Sequence, residues 1–422
     1  MLTSSYQKLF EGLFAFPKTR SKYLTAPLLK ERAEYISLLL RQGQSRKRIR
    51  FVASMQVNAI KLLNLTEARP IHSHEIKRAG SQWAIDQELH KHNPRGRAST
   101  YNFTGIVTKW LTFNRVLLPP EVPAPPFDEF VRAYLEELRT VRSLATSTIY
   151  HRHHHLSKLQ RWLGERRDSF DEVCLNDVDD YLDGLCANGF RPRSLLSVAE
   201  AIRDFFRFCA LRGWCSSTIA RGILMPRVVH RQTGPNGPAW KDVRRMLNVA
   251  GTSPVELRAN AIISLCSIYG LRRSEVVQLR LDDFDWYNEI MTVRRVKRGR
   301  VQHFPIQYEV GEAILAYLRS ARPKSTCRHL FTTFVAPIRP MRPPCVRSIV
   351  YKRMKMLAIQ SDNLGPHALR HACATQLLNK GFSLHEIADF LGHRGLSAVS
   401  IYAKYNPRLL RRVAAFSLAG IQ

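Results

Sequence analysis

GPHALRHACATQLLNKGFSLHEIADFLGHRGLSAVSIYAKY, residues 365–405, is the stretch on which the reading of the chain turns. Pro366 suits the first position of a helix, where its missing N–H is not needed, and Gly381 supplies the backbone freedom that stops one. Leu369, Cys373 and Leu377 recur at helical spacing and form the expected buried stripe. His367 and Arg370 then share another face at the N-terminal turn, where free backbone N–H groups and the helix dipole favour an anion. Ser383 and Glu386 make a capping box for a second helix, and Gly392 ends it, delivering His393 at the exit. A third helix, SAVSIYAKY, carries Tyr402. A His and an Arg three apart on an exposed face are commonplace alone; the ordered company they keep gives them weight.

Upstream, IYGLRRSEVVQLRLDDFDW (268–286) places Arg272 just after Gly270 with Glu275 three positions on, and leaves Arg273 as a surface neighbour. Strand-like EIMTVRRV (289–296) and VQHFPI (301–306) flank Lys297, Arg298, Gly299 and Arg300, a basic hairpin tip with a turn-permitting glycine. These segments together closely resemble the signature of the tyrosine recombinases, also called the phage integrase family. That family orders an H-x-x-R pair, the histidine of L-G-H and a nucleophilic tyrosine nine residues later, as His367, Arg370, His393 and Tyr402 are ordered here. Arg272 with Glu275 resembles its first catalytic motif. Lys297 occupies the setting of its hairpin lysine, although the usual glycine-flanked, lysine-rich turn is replaced by VKRGRVQHF. Arginine does not give up a proton near neutral pH, so the sole lysine of the tip is the chemically sensible acid.

The resemblance implies a DNA breaking and rejoining enzyme. Tyr402 attacks a phosphodiester in line, Arg272 and Arg370 clamp the nonbridging oxygens, and Lys297 protonates the departing 5′-oxygen. His367 assists proton transfer at Tyr402, whose ordinary pKa near 10 makes it a poor nucleophile at neutral pH, and His393 hydrogen-bonds the phosphate. Glu275 supports Arg272. No cofactor, metal or ATP is expected, because the phosphotyrosine keeps the bond energy. Tyr405 competes as nucleophile, but the family interval favours Tyr402, and Asn406-Pro407 ends the helix there. Two other readings share these residues: a type IB topoisomerase, and a catalytically silent DNA-binding protein that keeps the fold.

Proline divides the 422 residues twice, in LLPPEVPAPPF (117–127) and RQTGPNGPAW (231–240). Three segments result: 1–117, a helical basic region of unknown role; 127–226, which resembles the family's helical core-binding domain; and 238–422, the catalytic domain. The expected fold class is mainly α with a small β-sheet (α+β). Lys and Arg total 65 against 34 Asp and Glu, a net charge of +31, which points to a polyanionic partner, double-stranded DNA. Within a helix at about 144–164, Ile149, Leu156, Leu159 and Leu163 form one stripe, and His151, His154, Lys158 and Arg161 face the other way. These four, with Arg298 and Arg300, are the expected DNA contacts. His151 with His154 or His155 has metal-ligand spacing, but no acidic or cysteine ligand lies near in sequence, so phosphate or base contact is the expectation. Eight scattered cysteines without a C-x-x-C pair read as reduced and mostly buried. No apolar run approaches the roughly 18 residues of a membrane span. MLTSSYQKLFEGLFAFPKTR lacks the layout of a secretion signal, so the expected location is cytoplasmic, at the nucleoid, with no membrane partner. The resemblance further implies a homo-tetramer, or a hetero-tetramer with related recombinases, on paired DNA sites.

Overall fold

The computed structural model describes residues 2–90, 96–119, 125–227, 237–295 and 300–392. Its backbone packs into two units, Pro119–Arg231 and the combination of Met1–Leu118 with Gln232–Gln422.

Six helices make the N-terminal part: α1 (Leu2–Leu13), α2 (Pro17–Thr25), α3 (Leu29–Arg41), α4 (Arg46–Leu62), α5 (Ser73–His90) and α6 (Gly96–Phe113). Ile36, Ile49, Ala59, Phe103 and Trp110 are wholly buried among them. Each large apolar side chain so buried contributes about 1.5–3 kcal/mol. Arg32 is buried in the same cluster, and its Nε and NH1 donate to the carbonyls of Pro27 and Tyr23, each at 2.8 Å. This part keeps its own apolar cluster, and Gln44 Nε2 donates across to Ala336 O at 2.6 Å in the second half of the unit.

The Pro119–Arg231 unit holds α7 (Asp128–Thr140), α8 (Thr146–Gly164), α9 (Leu175–Ala187), α10 (Pro192–Leu211) and α11 (Ser217–Gly222). Pro192 starts α10, which buries Leu195, Val198, Ile202, Phe205, Phe206 and Cys209 at three- and four-residue intervals. Phe170 stacks on Phe130 with centroids 4.3 Å apart and meets Phe205 edge-on. α8 lies where the helix at about 144–164 is expected. α11 is too short to show a period.

In the second half of the first unit, α12 (Trp240–Leu247) and α13 (Pro254–Ile268) precede α14 (Arg273–Gln278). Strands β1 (Phe284–Asp285), β2 (Ile290–Arg294) and β3 (Val301–Pro305) follow, and then α15 (Tyr308–Ser320), α16 (Pro343–Met356), α17 (Pro366–Asn379) and α18 (Leu384–Leu391). α13 is the core helix: in its second half Ala261, Ile262, Ile263, Leu265 and Cys266 have no exposure, so this half is buried all round. Ser253 and Glu256 close its N-terminus as a capping box. The sheet is antiparallel in the order β1-β2-β3, with Met291 opposite Phe304 and Val293 opposite Gln302. The architecture is mainly helical with one small sheet, as the sequence implies.

Two expectations need correction. The buried face of α17 is Ala368, Leu369, Ala372, Cys373 and Leu378, whereas Leu377 is only half-buried; the face drifts one position because Leu378 turns towards Ile387 and Leu391 of α18. Of the eight cysteines only Cys209, Cys266 and Cys373 are buried, and Cys174, Cys186 and Cys345 are exposed. Cys174 is exposed because it occupies the N-cap of α9. All eight are free thiols. Among the described residues no helix is long and apolar enough to cross a membrane, and no group of three metal-ligating side chains occurs.

Candidate active site

The site begins where α13 ends. Gly270, at φ +58°, turns the chain into the left-handed region, and an added Cβ there would lie 2.5 Å from Leu391 Cδ2. Leu271 is buried, and Arg272 becomes the N-cap of α14. Glu275, three residues on and 2% exposed, accepts the Arg272 backbone N–H on Oε2 at 2.8 Å and Arg272 NH1 on Oε1 at 2.8 Å. A single carboxylate thus fixes both ends of Arg272. The other fork, NH2, donates to Gly392 O at 3.3 Å. Arg273 is exposed, in keeping with a surface role.

α17 supplies the second pair. Pro366 stands at its first turn, and His367 and Arg370 follow on adjoining turns. Arg370 does not lie on an exposed face as the spacing suggests. It is 2% exposed, and its NH1 and NH2 donate to Gly270 O at 2.7 Å and Leu391 O at 2.6 Å. Carbonyls from two chain reversals, invisible to local periodicity, draw the guanidinium inward. Even so, Arg272, Arg273, Arg347, Asn363, His367 and Arg370 line one cleft of about 490 Å³, and among the described residues that line it none is a carboxylate. A cleft lined by cations on low-dielectric walls concentrates positive potential, as a phosphate site requires. Arg347, exposed on α16, is a member that sequence reasoning missed.

His367 faces the cleft. Partial desolvation, then the charges of Arg370 and Arg272, hold its pKa below the ordinary imidazole value, so at neutral pH it is the uncharged form, able to accept a proton. His371, one turn on, meets it edge-to-face with centroids 4.5 Å apart. Burial lowers His371 to about 4, with His367 and Arg370 adding to the effect.

The third piece is the exit of α18. Ser383 and Glu386 form the expected capping box, and Gly392, at φ +63°, is the C-cap. The last carbonyls of a helix lack intrahelical donors, and here side chains from three other elements supply them. Gln302 Nε2 donates to Asp389 O at 3.1 Å, Arg295 NH2 to Phe390 O at 2.7 Å, Arg370 NH2 to Leu391 O at 2.6 Å and Arg272 NH2 to Gly392 O at 3.3 Å. The partial negative charge of a helix C-terminus favours such cations. Arg295 and Gln302 were not anticipated. Alternation marks them: Met291, Val293 and Arg295 are the inward positions of the β2 side of the hairpin, and the last carries a charge that must find a partner. That partner is Glu275, whose Oε2 lies 2.9 Å from Arg295 NH1. Burial pushes the Arg295 guanidinium below the ordinary arginine range, and Glu275 opposes the shift.

The remaining expected residues divide. Lys297, Arg298, His393 and Tyr402 lie outside the described residues. Arg300 is exposed at the base of the hairpin, and its carbonyl accepts from Arg295 N at 2.8 Å. His151, His154, Lys158 and Arg161 are all exposed on α8, opposite buried Leu156, Leu159 and Leu163; Ile149, the fourth residue of the expected stripe, is half-buried at the helix start.

Comparison with known proteins places these features. Residues 239–408 match the phage integrase family, and residues 131–213 match the phage integrase N-terminal SAM-like domain. The integrase/recombinase y4rA of Sinorhizobium fredii is 34% identical over 290 residues, covering 68% of this chain and 70% of that one. Tyrosine recombinase XerD of Vibrio vulnificus is 26% identical over 289 residues, covering 67% and 93%. Among solved structures, the Tn1549 transposon integrase in complex with transposon right end DNA shares the fold, with a TM-score of 0.54 and 19% identity over 68% of this chain and 99% of that one. With these two matches in order and a relative 34% identical over 290 residues, the chain belongs to the phage integrase family of tyrosine recombinases.

Proposed function

We propose that this protein is a site-specific DNA recombinase that cleaves and rejoins double-stranded DNA through a 3′-phosphotyrosine at Tyr402, in the integration, excision or transposition of a mobile element. The observation that carries the reading is the single cleft holding Arg272, His367 and Arg370, with Glu275 behind Arg272 and no carboxylate on its lining. Such a cleft offers cationic donors to a phosphate, and no carboxylate among its described lining residues opposes the charge. Segment 238–422 performs the chemistry, and 127–226 grips DNA through the exposed basic face of α8.

In the cleavage step the Tyr402 oxygen forms a bond to phosphorus as the bond from phosphorus to O5′ breaks. The tyrosine proton passes to neutral His367, and Lys297 gives a proton to O5′, so the leaving group departs as a hydroxyl. Arg272 and Arg370, with His393, stabilise the charge that gathers on the nonbridging oxygens. A second 5′-hydroxyl reverses the sequence on the phosphotyrosine. One phosphodiester is exchanged for another, so the reaction draws on neither ATP nor a cofactor.

Four protomers, identical or shared with related recombinases, assemble on two sites at the nucleoid. The test uses a duplex selected from a randomised library by covalent capture on the full chain. Plasmids carrying two copies should exchange strands in EDTA without ATP. Relaxation of plasmids lacking the sequence, without exchange, would instead favour a type IB topoisomerase, and failure to capture any duplex would favour a silent DNA-binding protein.

A further inference from the structure

Glu275 is shared between two arginines, only one of which lines the cleft. Its Oε1 accepts from Arg272 NH1 at 2.8 Å, and its Oε2 accepts from Arg295 NH1 at 2.9 Å. Arg295 is 4% exposed, and protein groups take up its other donors. Nε and NH2 donate to Gln302 Oε1 at 2.9 and 2.7 Å, and NH2 also donates to Phe390 O at 2.7 Å. The chain at the exit of α18 is built round it: a Cβ on Gly392 would lie 2.8 Å from Arg295 Nε.

The charge count gives this arrangement a consequence. One carboxylate between two guanidinium groups leaves a net charge of one, and because Arg295 is the deeper partner, the surplus falls to Arg272 at the cleft. A carboxylate with Arg272 as its sole partner would draw it into a parallel, two-bond pair, the geometry that guanidinium and carboxylate prefer. Both the charge and the direction of Arg272 would then be lost to the phosphate. We propose that Arg295 is a positioning residue for strand cleavage: by sharing Glu275 Oε2 with the Arg272 backbone N–H and holding Phe390 O, it confines the Arg272 guanidinium to the other carboxylate oxygen and leaves its charge for the scissile phosphate.

The inference rests on the reading of Arg272 as a phosphate ligand, and the test separates the two. Single-turnover formation of the covalent complex is followed with the full chain on a nicked duplex chosen by covalent capture. The scissile phosphate is either ordinary or an uncharged methylphosphonate, which gives the arginine clamp little charge to neutralise. Arg295→Met should slow cleavage of the phosphate by about tenfold or more and of the methylphosphonate by no more than about twofold. Arg295→Lys, which keeps a cation on Glu275, should stay within about threefold of the unaltered protein on both. If Arg295→Met fails to fold, Gln302→Leu takes its place: it leaves the buried ion pair intact but frees Arg295 to swing, and should show the same substrate dependence at smaller size. Equal slowing on both substrates, or none on either, overturns the proposal, since a merely loosened fold does not distinguish them. Arg272→Ala is the benchmark. Slowing by Arg272→Ala that is equal on the two substrates would remove the underlying reading rather than this extension of it.

Discussion

Replacing Glu275 by Gln tests the buried centre of the site at the point where the most structure depends on one charge. The carboxylate accepts three hydrogen bonds, from Arg272 N, Arg272 NH1 and Arg295 NH1, at 2.8, 2.8 and 2.9 Å. The amide keeps one acceptor oxygen and turns a donor towards a guanidinium that can only donate. Arg295, at 4% exposure, is left as a buried cation without its counter-ion. Breaking a buried pair in this way costs about 3–5 kcal/mol, a large share of the roughly 5–15 kcal/mol that holds a domain folded. Urea denaturation, with hydrogen exchange at Val276, Val277 and Leu391 to localise the loss, measures it. Pairing Glu275→Gln with Arg295→Met removes both charges together, so the double variant should recover about 1–3 kcal/mol relative to the sum of the singles. A cost below about 1 kcal/mol for Glu275→Gln, or single effects that add to within about 0.5 kcal/mol, would refute the reasoning.

Two further outcomes follow from exposed and titrating groups. Lys158→Ala or Arg161→Ala on α8 should weaken DNA binding and reduce the slope of log affinity against log salt by about 0.9 each; fluorescence anisotropy across a salt series with an unchanged slope would remove that residue from the interface. His371 titrates at about 4 when folded, against about 6.5 in an unfolded chain. Its folded value is the lower, so the unfolded state binds more protons between the two. The stability is therefore complete above about pH 6.5 and is lost as pH falls towards 4, by about 1–3 kcal/mol allowing for partial exposure. Denaturation midpoints of the unaltered protein and of His371→Leu should diverge in that window; parallel profiles would contradict the assignment.

Much of the site could be read because its signals are local. Pro366, Gly381, the Ser383–Glu386 box and Gly392 each act on the backbone within a turn, and the helix boundaries follow from them. Arg272 and Glu275 are three apart, so their pairing is also a matter of one turn. The burial of Arg370 does not follow from its spacing, because Gly270 O and Leu391 O, 100 and 21 residues away, determine where its side chain goes. Arg295 looked like one more basic residue in a hairpin. Only the register that buries Met291 and Val293 beside it shows that its charge lies inside. The approach of Arg347 to the cleft depends on α16 packing beside α14 and α17, a tertiary fact with no local pattern. Lys297, His393 and Tyr402 rest on the family resemblance.

The most direct measurement is therefore covalent trapping. On a nicked duplex that prevents rejoining, the unaltered protein should form a denaturant-resistant adduct whose DNA-linked peptide contains modified Tyr402, and Tyr402→Phe should bind the same duplex without forming it. An adduct formed by Tyr402→Phe, or mapped to Tyr405 in the unaltered protein, would contradict the account.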